Sequence, residues 1–239
     1  MDKWTQLLAA LNEADREKLR AFLETTPEWV KNEFMLVSLP KDTEFVRETE
    51  PVDSVYVLVE GMVKAADYRV IEVEYDFSWF YPIMVFGAME YLMDLQSYKA
   101  SLLTVTPCRL LRLSMEQFSR WMERDFTALR KQAKDMSDYL LGRIELERLF
   151  MFSNGDDRIA LFLKSFYEKQ ALSGSCAIPL TRDDLAHTTG LSTRTVSRTI
   201  TSFLEKGMLS RNGWKITISE EQCRKLTEFV SNRIDIPKK

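Results

Sequence analysis

The chain has 239 residues, of which 45% are hydrophobic and 29% are charged, as in an ordinary globular protein with one large domain or two small ones. No apolar segment approaches the roughly 20 residues of a membrane span and no signal peptide is recognisable, so we expect a cytoplasmic protein without a membrane partner. The three cysteines stand far apart without a CxxC motif, which argues against a disulfide framework or a zinc site.

The net charge of −3 is distributed unevenly along the chain. Residues 1–180 contain 22 Lys and Arg against 29 Asp and Glu, whereas residues 181–239 contain 11 against 7. A basic segment attached to an acidic one is typical of a nucleic-acid-binding module with a separate partner domain. The excess is modest and does not decide the function alone.

The N-terminal part predicts one helix followed by a β-domain. Residues 2–24 place apolar side chains at helical spacing among charges. From about residue 34 to 113 the period becomes two, and SVYVLVEG and VIEVEYDF predict half-buried strands. The segments FMLVSL, TEFVRE, ASLLTV and RLLRLS are further strand candidates between Pro, Gly and Asp residues. Residues 1–115 therefore predict a compact antiparallel sandwich or barrel.

A long helix is predicted after Ser114, and residues 116–152 form the second predicted segment. Its apolar stripe consists of Phe126, Leu129, Ala133, Met136, Leu140 and Ile144. Such a stripe fits a dimerisation helix paired with a second copy, and it also fits packing on the chain's own β-domain. Ser153-Asn154-Gly155 is predicted to end the helix and to supply a hinge before the third domain, 153–239.

Residues 180–210 predict two helices joined by a tight turn. Thr181 with Asp184 resembles a capping box, Gly190 suits the turn, and Ser192 suits the cap of the second helix. The segment LSRNGWKITI then alternates around Asn-Gly, which predicts a hairpin, or wing.

The second helix of this pair has two distinct faces. By the 100° step, one face carries Val196, Ile200, Phe203 and Leu204, and the other carries Arg194, Ser197, Arg198, Thr201 and Glu205. An arginine can donate two hydrogen bonds to O6 and N7 of guanine in the major groove, where a helix fits. The polar face therefore predicts binding to double-stranded DNA.

The order of β-domain, long helix and TRDDLAHTTGLSTRTVSR with a winged hairpin resembles the bacterial transcription regulators typified by the cyclic-AMP receptor protein and the fumarate-nitrate reduction regulator. The resemblance covers residues from about 30 to 218. It implies an α+β fold with an N-terminal antiparallel β-roll like the cyclic-nucleotide-binding jelly roll, a long dimerisation helix and a C-terminal winged helix-turn-helix. It also implies a homodimer on an inverted-repeat site, with RNA polymerase as a further partner.

The resemblance also assigns roles to residues. The family motif is met by Thr181, Arg182, Leu185, Ala186, Gly190, Ser192, Thr195, Val196, Ser197 and Arg198. It implies base contacts from Ser197 and Arg198, to which we add Thr193 and Arg194. It implies phosphate contacts from Thr181, Arg182, Ser192 and Thr195, to which we add Lys215 on the wing. Arg194 lies where the cyclic-AMP receptor protein and the fumarate-nitrate reduction regulator both have a glutamate, so the DNA half-site should differ from theirs.

The family's cyclic-nucleotide pocket is degenerate in this chain. It is built in relatives around Gly-Glu and, some ten residues later, Arg-Ser-Ala; the matching positions are Gly87-Ala88 and Tyr98-Lys99-Ala100. The ribose acceptor is missing, a phenol replaces the phosphate fork, and Lys99 is the only nearby cation. The candidate effector pocket of Gly87, Ala88, Tyr98 and Lys99 therefore argues against cyclic AMP.

No cofactor is predicted, and other effectors have little support. An iron–sulfur cluster lacks an N-terminal cysteine cluster, and haem lacks a ligand because His187, the single histidine, lies in the helix-turn-helix. The aromatic and Met-rich segment DFSWFYPIMVFGAMEYL favours core filling over an apolar ligand pocket, and a domain without any small ligand stays a third option.

Enzymatic activity is not predicted, because the chain has no GxSxG, P-loop or HExxH motif and one histidine. The alternative to DNA binding is a non-enzymatic interaction or scaffold protein whose winged unit contacts another protein. The polar and basic face of the second helix favours DNA. The C-terminal SEEQCRKLTEFVSNRI predicts one more amphipathic helix.

Overall fold

The structure is a computed structural model that describes residues 3–67, 75–170, 174–213 and 215–231. The chain forms two compact units, Met1–Leu140 and Leu141–Lys239. The division at residues 115 and 152 stays a prediction. In the described part of the chain, no helix is both long and apolar enough to cross a membrane.

Three helices precede the strands of the first unit: α1 (Lys3–Ala10), α2 (Glu13–Glu24) and α3 (Glu28–Glu33). The single helix predicted for residues 2–24 is therefore wrong in detail. The break occurs at Leu11 and Asn12, because Asn12 caps α2 and its side chain accepts a hydrogen bond from the backbone of Asp15 at 2.9 Å.

Eight strands of the first unit form two antiparallel four-stranded sheets, which confirms the predicted β-roll. The strands are β1 (Met35–Leu39), β2 (Glu44–Val46), β3 (Ser54–Glu60), β4 (Val63–Asp67), β5 (Tyr75–Phe80), β6 (Met84–Phe86), β7 (Ser101–Thr104) and β8 (Cys108–Ser114). One sheet has the order β1-β8-β3-β6 and the other β2-β7-β4-β5. Residues 70–74 of the predicted strand VIEVEYDF lie outside the described residues.

The first unit has two hydrophobic cores, one on each side of β3. The inner core lies within the roll and includes Leu58, Val63, Phe80, Phe86, Tyr98, Leu102 and Leu110. The outer core includes Val55, Val57, Val59, Ala88, Leu19, Phe22, Phe118 and Trp121. The sequence predicts half-buried strands, but β3 is buried on both faces, because helices cover the face of Val55, Val57 and Val59 and the face of Leu58 lies within the roll.

Helices α4 (Ala88–Leu92), α5 (Met115–Arg124) and α6 (Phe126–Met151) complete this region. The continuous helix predicted from residue 116 is interrupted at Asp125, whose backbone is not helical. The carboxylate of Asp125 accepts a hydrogen bond from the backbone N–H of Ala128 at 3.0 Å and so supports the start of α6. Helix α5 buries Phe118 and Trp121 in the outer core and belongs to the β-domain.

Helix α6 has two apolar faces rather than the single predicted stripe. Ala128 and Gln132 are buried against the first unit, and Leu129 packs on the outer core. Six other side chains are exposed or lie on the exposed side: Phe126, Ala133, Leu140, Leu141, Ile144 and Met151. The predicted stripe is therefore divided, because Leu129 and the half-buried Met136 face the chain's own domain.

The second unit contains α7 (Gly155–Gln170), β9 (Ser175–Ile178), α8 (Arg182–Thr189), α9 (Thr193–Glu205), β10 (Ser210–Asn212), β11 (Lys215–Ser219) and α10 (Glu220–Ser231). Its strands form an antiparallel sheet in the order β10-β11-β9. The predicted helix-turn-helix and wing are confirmed. The predicted C-terminal helix is α10, which buries Leu226 and Val230 fully and places Phe229 5.4 Å from Phe203 of α9, measured between ring centroids.

The turn between β3 and β4 depends on a glycine. Gly61 has φ +95°, and a Cβ there would lie 2.5 Å from the carbonyl oxygen of Pro107. We expect Gly61→Ala to lower the free energy of unfolding by roughly 2–5 kcal/mol, from backbone strain and overpacking together. Gly174→Ala is the control, because its φ is +78° and no atom lies within 4 Å of the added Cβ. It should cost about 1–2 kcal/mol. Urea unfolding of both variants measures the difference, and equal losses would contradict the steric argument.

Candidate DNA interface and effector region

Helix α9 is held in place by one buried face. Val196, Ile200 and Phe203 are at most 1% exposed, and their spacing of three and four residues keeps them on one side of the helix. The hydroxyl of Thr199, also buried, donates a hydrogen bond to the carboxylate of Asp156 on α7. Apolar packing and this polar contact together fix the rotation of α9 about its axis.

The opposite face of α9 carries the predicted base-contacting residues. Arg194, Ser197 and Arg198 are all exposed. Within the part of the chain that the structure describes, neither guanidinium has a hydrogen-bond or ion-pair partner. Two arginines one helical turn apart therefore keep their donors available for acceptors on another molecule.

The predicted caps are present at the N-termini of α8 and α9. The capping box of Thr181 and Asp184 is present in both directions, and Ser192 accepts from the backbone of Thr195 at 3.2 Å. Gly190 adopts the left-handed conformation at φ +66°, which lets α8 end and the chain turn within a few residues. The hydroxyls of Thr181 and Ser192, which are predicted to contact phosphate, thus already cap the N-termini of α8 and α9.

One predicted base contact has an intramolecular partner that the sequence did not indicate. The hydroxyl of Thr193 donates to Asp183 on α8 at 2.9 Å. This contact ties the first turn of α9 to α8. Its role toward a base stays a prediction, and DNA would have to compete with the Asp183 carboxylate.

A second group of cations lies in the same unit as α9. Arg182 is half-buried, and burial together with repulsion from Arg211 lowers the pKa of its guanidinium below the usual value. Arg211 lies on β10, and Lys215, which is exposed, begins β11. The sequence reasoning missed Arg211, because a hairpin pattern does not show which strand residue approaches α8. Like charges held close together favour a bound anion such as phosphate.

The four residues of the candidate effector pocket have different surroundings, although Gly87 and Tyr98 both approach the carbonyl oxygen of Ser54. Tyr98 is 5% exposed in the inner core, and its hydroxyl donates to the carbonyl oxygen of Ser54 at 2.6 Å. Burial raises the pKa of this hydroxyl. Ala88 packs in the outer core, Gly87 is the N-cap of α4, and Lys99 is exposed with its ammonium 3.4 Å from the hydroxyl of Ser97.

A buried carboxylate in this region was not singled out from the sequence. Glu90 is 6% exposed and accepts a hydrogen bond from the backbone N–H of Lys99 at 3.3 Å. It lies two residues after the position where relatives carry the ribose-binding glutamate. Its carboxylate is already engaged by the backbone of the segment that relatives use for phosphate.

Aromatic side chains fill the interior of the roll. Phe80 and Phe86 meet edge to face with ring centroids 5.1 Å apart. Tyr139 of α6 lies 5.7 Å from Phe80 between ring centroids, and its hydroxyl is 2.8 Å from that of Ser78. These residues of the aromatic segment serve as core, as the favoured sequence interpretation states.

The remaining titratable groups include one histidine and three cysteines. Among the described residues, no group of three or more His, Cys, Asp and Glu side chains could hold a metal ion. His187 is half-buried in α8. The three cysteines are buried, and burial raises the pKa of each thiol, that of Cys176 to about 11.

Comparison with known proteins identifies both parts of the chain. Residues 36–125 match the model of the cyclic nucleotide-binding domain, and residues 157–223 match that of the Crp-like helix-turn-helix domain. No curated protein matches the sequence.

Solved structures share the fold at low sequence identity. FixK2 from Bradyrhizobium japonicum is 22% identical with a TM-score of 0.72, over 81% of this chain and 96% of its own. A CooA mutant from Carboxydothermus hydrogenoformans is 17% identical with a TM-score of 0.68, over 87% and 94%. TTHA1359 from Thermus thermophilus, a transcriptional regulator of the CRP/FNR family, is 20% identical with a TM-score of 0.66, over 84% and 100%.

The β-roll matches one family model and the winged helix-turn-helix matches the other, and together the two matches span more than half of the chain. The chain therefore belongs to the CRP/FNR family of transcription regulators.

Proposed function

We propose that this transcription regulator binds an inverted-repeat DNA site as a homodimer, and that cyclic AMP does not control it. The observation that carries the proposal is the pair of exposed guanidiniums of Arg194 and Arg198, which have no partner among the described residues, on a helix whose other face is buried. Action in the cytoplasm, without catalysis and with RNA polymerase as a further partner, belongs to the same proposal.

The α9 surface suits the major groove of DNA. Arg194, Ser197 and Arg198 on its polar face offer donors to base edges, and the basic group of Arg182 and Arg211 suits the flanking phosphates. A winged unit that bound another protein would more often present a largely apolar patch at its centre. The polar character of the exposed face favours DNA.

The exposed face of α6 supports a dimer. Phe126 is 76% exposed, Ile144 50% and Met151 76%, and the 100° step places all three on one side of the helix. An apolar stripe along 26 residues of helix suits a parallel pairing with the same stripe of a second copy. Such a pair presents two α9 helices related by a two-fold axis, so we propose half-sites centred about 10 bp apart.

The contacts in the roll argue against cyclic AMP. Tyr98 occupies the inner core where relatives place the phosphate-binding arginine, and Ala88 has no group that accepts from ribose. The exposed Lys99 remains as a point charge, and a single ammonium lacks the bidentate geometry of a guanidinium.

The first prediction concerns base recognition. We expect Arg198→Ala to weaken binding to the selected DNA site by about 1–3 kcal/mol and to relax the preference at one base pair, because a bidentate contact to guanine is lost. Thr195→Ala should weaken binding to all sequences alike, since its contact is to phosphate. Fluorescence anisotropy on duplexes selected from a random pool measures both effects.

Arg224→Ala is the matched control for charge, because Arg224 is exposed on α10 and its loss changes the net charge equally. It should leave the selected sequence unchanged. If no palindrome is enriched, or if the Arg198→Ala protein enriches the same sites as the wild type, the proposal of base reading by α9 is wrong.

The second prediction concerns the dimer. We expect Ile144→Glu to raise the dimer dissociation constant at least about 100-fold, because it places a carboxylate within an apolar interface. Gly142→Glu adds the same charge on the opposite side of α6, where nothing lies within 4 Å of an added Cβ. Analytical ultracentrifugation should show monomers for the first variant and dimers for the second. If both variants have the same oligomeric state, the dimer interface does not include the stripe of Phe126, Ile144 and Met151.

The third prediction concerns the effector. A ligand present at 100 times its dissociation constant stabilises a protein by about 2.7 kcal/mol, which shifts the melting temperature by several degrees. We expect no shift on adding millimolar cyclic AMP to the wild type. A clear rise would show that Tyr98 and Ala88 still permit nucleotide binding.

A further inference from the structure

A groove on the first unit borders the outer core. It has a volume of about 470 Å³ and lies between α2, the segment from β6 to α4, and the N-terminal half of α6. Phe22, Ile83, Val85, Ala88 and Met136 supply apolar walls. A volume of this size accommodates a small organic molecule.

Most of the apolar groove wall belongs to the outer core, although Met84 of β6 packs on the inner core. Phe86 belongs to the inner core, whereas Val85 packs on the outer core, on the other side of the sheet. Tyr139 of α6 contacts the inner core, and Gln132, two turns earlier on α6, lines the groove. The groove therefore borders the region that relatives use for nucleotide at Ala88, and most of its wall lies on the outer side of the sheet.

Gln132 is the feature that points to a ligand. It is 6% exposed, and it lines both the groove and an adjoining cavity of about 50 Å³ beside Trp121 and Ala128. Over the described residues, its side-chain amide has no hydrogen-bond partner. A buried amide without partners costs roughly 1–3 kcal/mol, so such groups are normally satisfied. Its donors and acceptor are available to a molecule in the groove.

The charged groups on the groove's rim already have partners. The ammonium of Lys18 donates to the carbonyl oxygen of Pro82 at 3.1 Å. Lys131 pairs with Asp135 at 2.9 Å, and Asp138 pairs with Lys134. Two lysines and two aspartates balance one another at the groove, so an ionic ligand would find no unpaired counter-charge.

We propose that this groove binds a small, uncharged amphipathic molecule. Its carbonyl or amide group would pair with the Gln132 carboxamide, and its apolar body would lie against Phe22, Val85 and Met136. The bound molecule would contact α2, β6 and α6 together.

The groove stays accessible if the proposed dimer forms. By the 100° step, Asp135 lies opposite to Phe126 and Ile144 on α6, and Gln132 and Asp138 lie about 120° from them. A second copy on the exposed stripe therefore leaves the groove open. The proposal holds whether or not the chain dimerises, because every residue that lines the groove belongs to one chain.

The test uses acetanilide as an uncharged amide probe and ethylbenzene as an apolar probe without hydrogen-bonding groups. The full chain is titrated with each probe and followed by ¹H–¹⁵N spectra of side-chain amides. The Gln132 signal is assigned by its disappearance in Gln132→Leu. We expect acetanilide to shift the Gln132 signal, and its affinity to fall roughly 3- to 10-fold in Gln132→Leu, the loss of one hydrogen bond. The affinity for ethylbenzene should stay equal or rise.

Two further measurements keep the outcomes distinct. Gln132→Leu should melt at the same or a higher temperature than the wild type, because it removes an unpaired buried amide, so a loss of acetanilide affinity is not caused by unfolding. Met136→Trp should fill the groove and abolish binding of both probes. Equal affinity of acetanilide for wild type and Gln132→Leu, or no shift of the Gln132 signal, would mean that water alone occupies the groove and would overturn the proposal. No arm of the experiment uses DNA, so it does not test the regulator function.

Discussion

Burial of one face of α9 is the constraint on which the DNA-facing surface depends. The buried face consists of Val196, Ile200 and Phe203. Rotating the helix about its axis would expose these side chains to water and bury guanidinium groups instead, and both changes are unfavourable. The buried contact between Thr199 and Asp156 fixes the rotation further. Arg194 and Arg198 therefore point outward because packing leaves them no other side of the helix, and their availability for recognition follows from the core.

The burial of apolar side chains has a different outcome on α6. This helix buries Ala128 and Gln132 against its own domain and still exposes Phe126 and Ile144 on another side. A helix in a monomer needs one apolar face, so a second exposed one is unexplained by the chain's own fold. Pairing with a second copy would bury it, and pairing also suits a family in which DNA binding rests on two-fold symmetry.

The interior of the roll is occupied by side chains of the chain itself. Tyr98 hydrogen-bonds to Ser54 inside the protein, and Tyr139 from α6 packs on Phe80. Both contacts are made by the chain's own side chains, so the link between the roll and α6 exists without a nucleotide. A groove of this unit lies beside Gln132, a residue to which the family resemblance assigns no role.

The local sequence pattern determined much of the secondary structure of the second unit. Caps and helical spacing act within a few residues, so Thr181, Ser192 and the faces of α9 could be predicted from order alone. Tertiary structure decided the rest, because it depends on groups distant in the chain. The burial of both faces of β3, the division of α6 into two apolar faces, the approach of Arg211 to Arg182 and the unpaired amide of Gln132 all arise from such packing. Periodicity shows which side of a helix or strand is apolar, whereas only the packing shows which residues that side contacts.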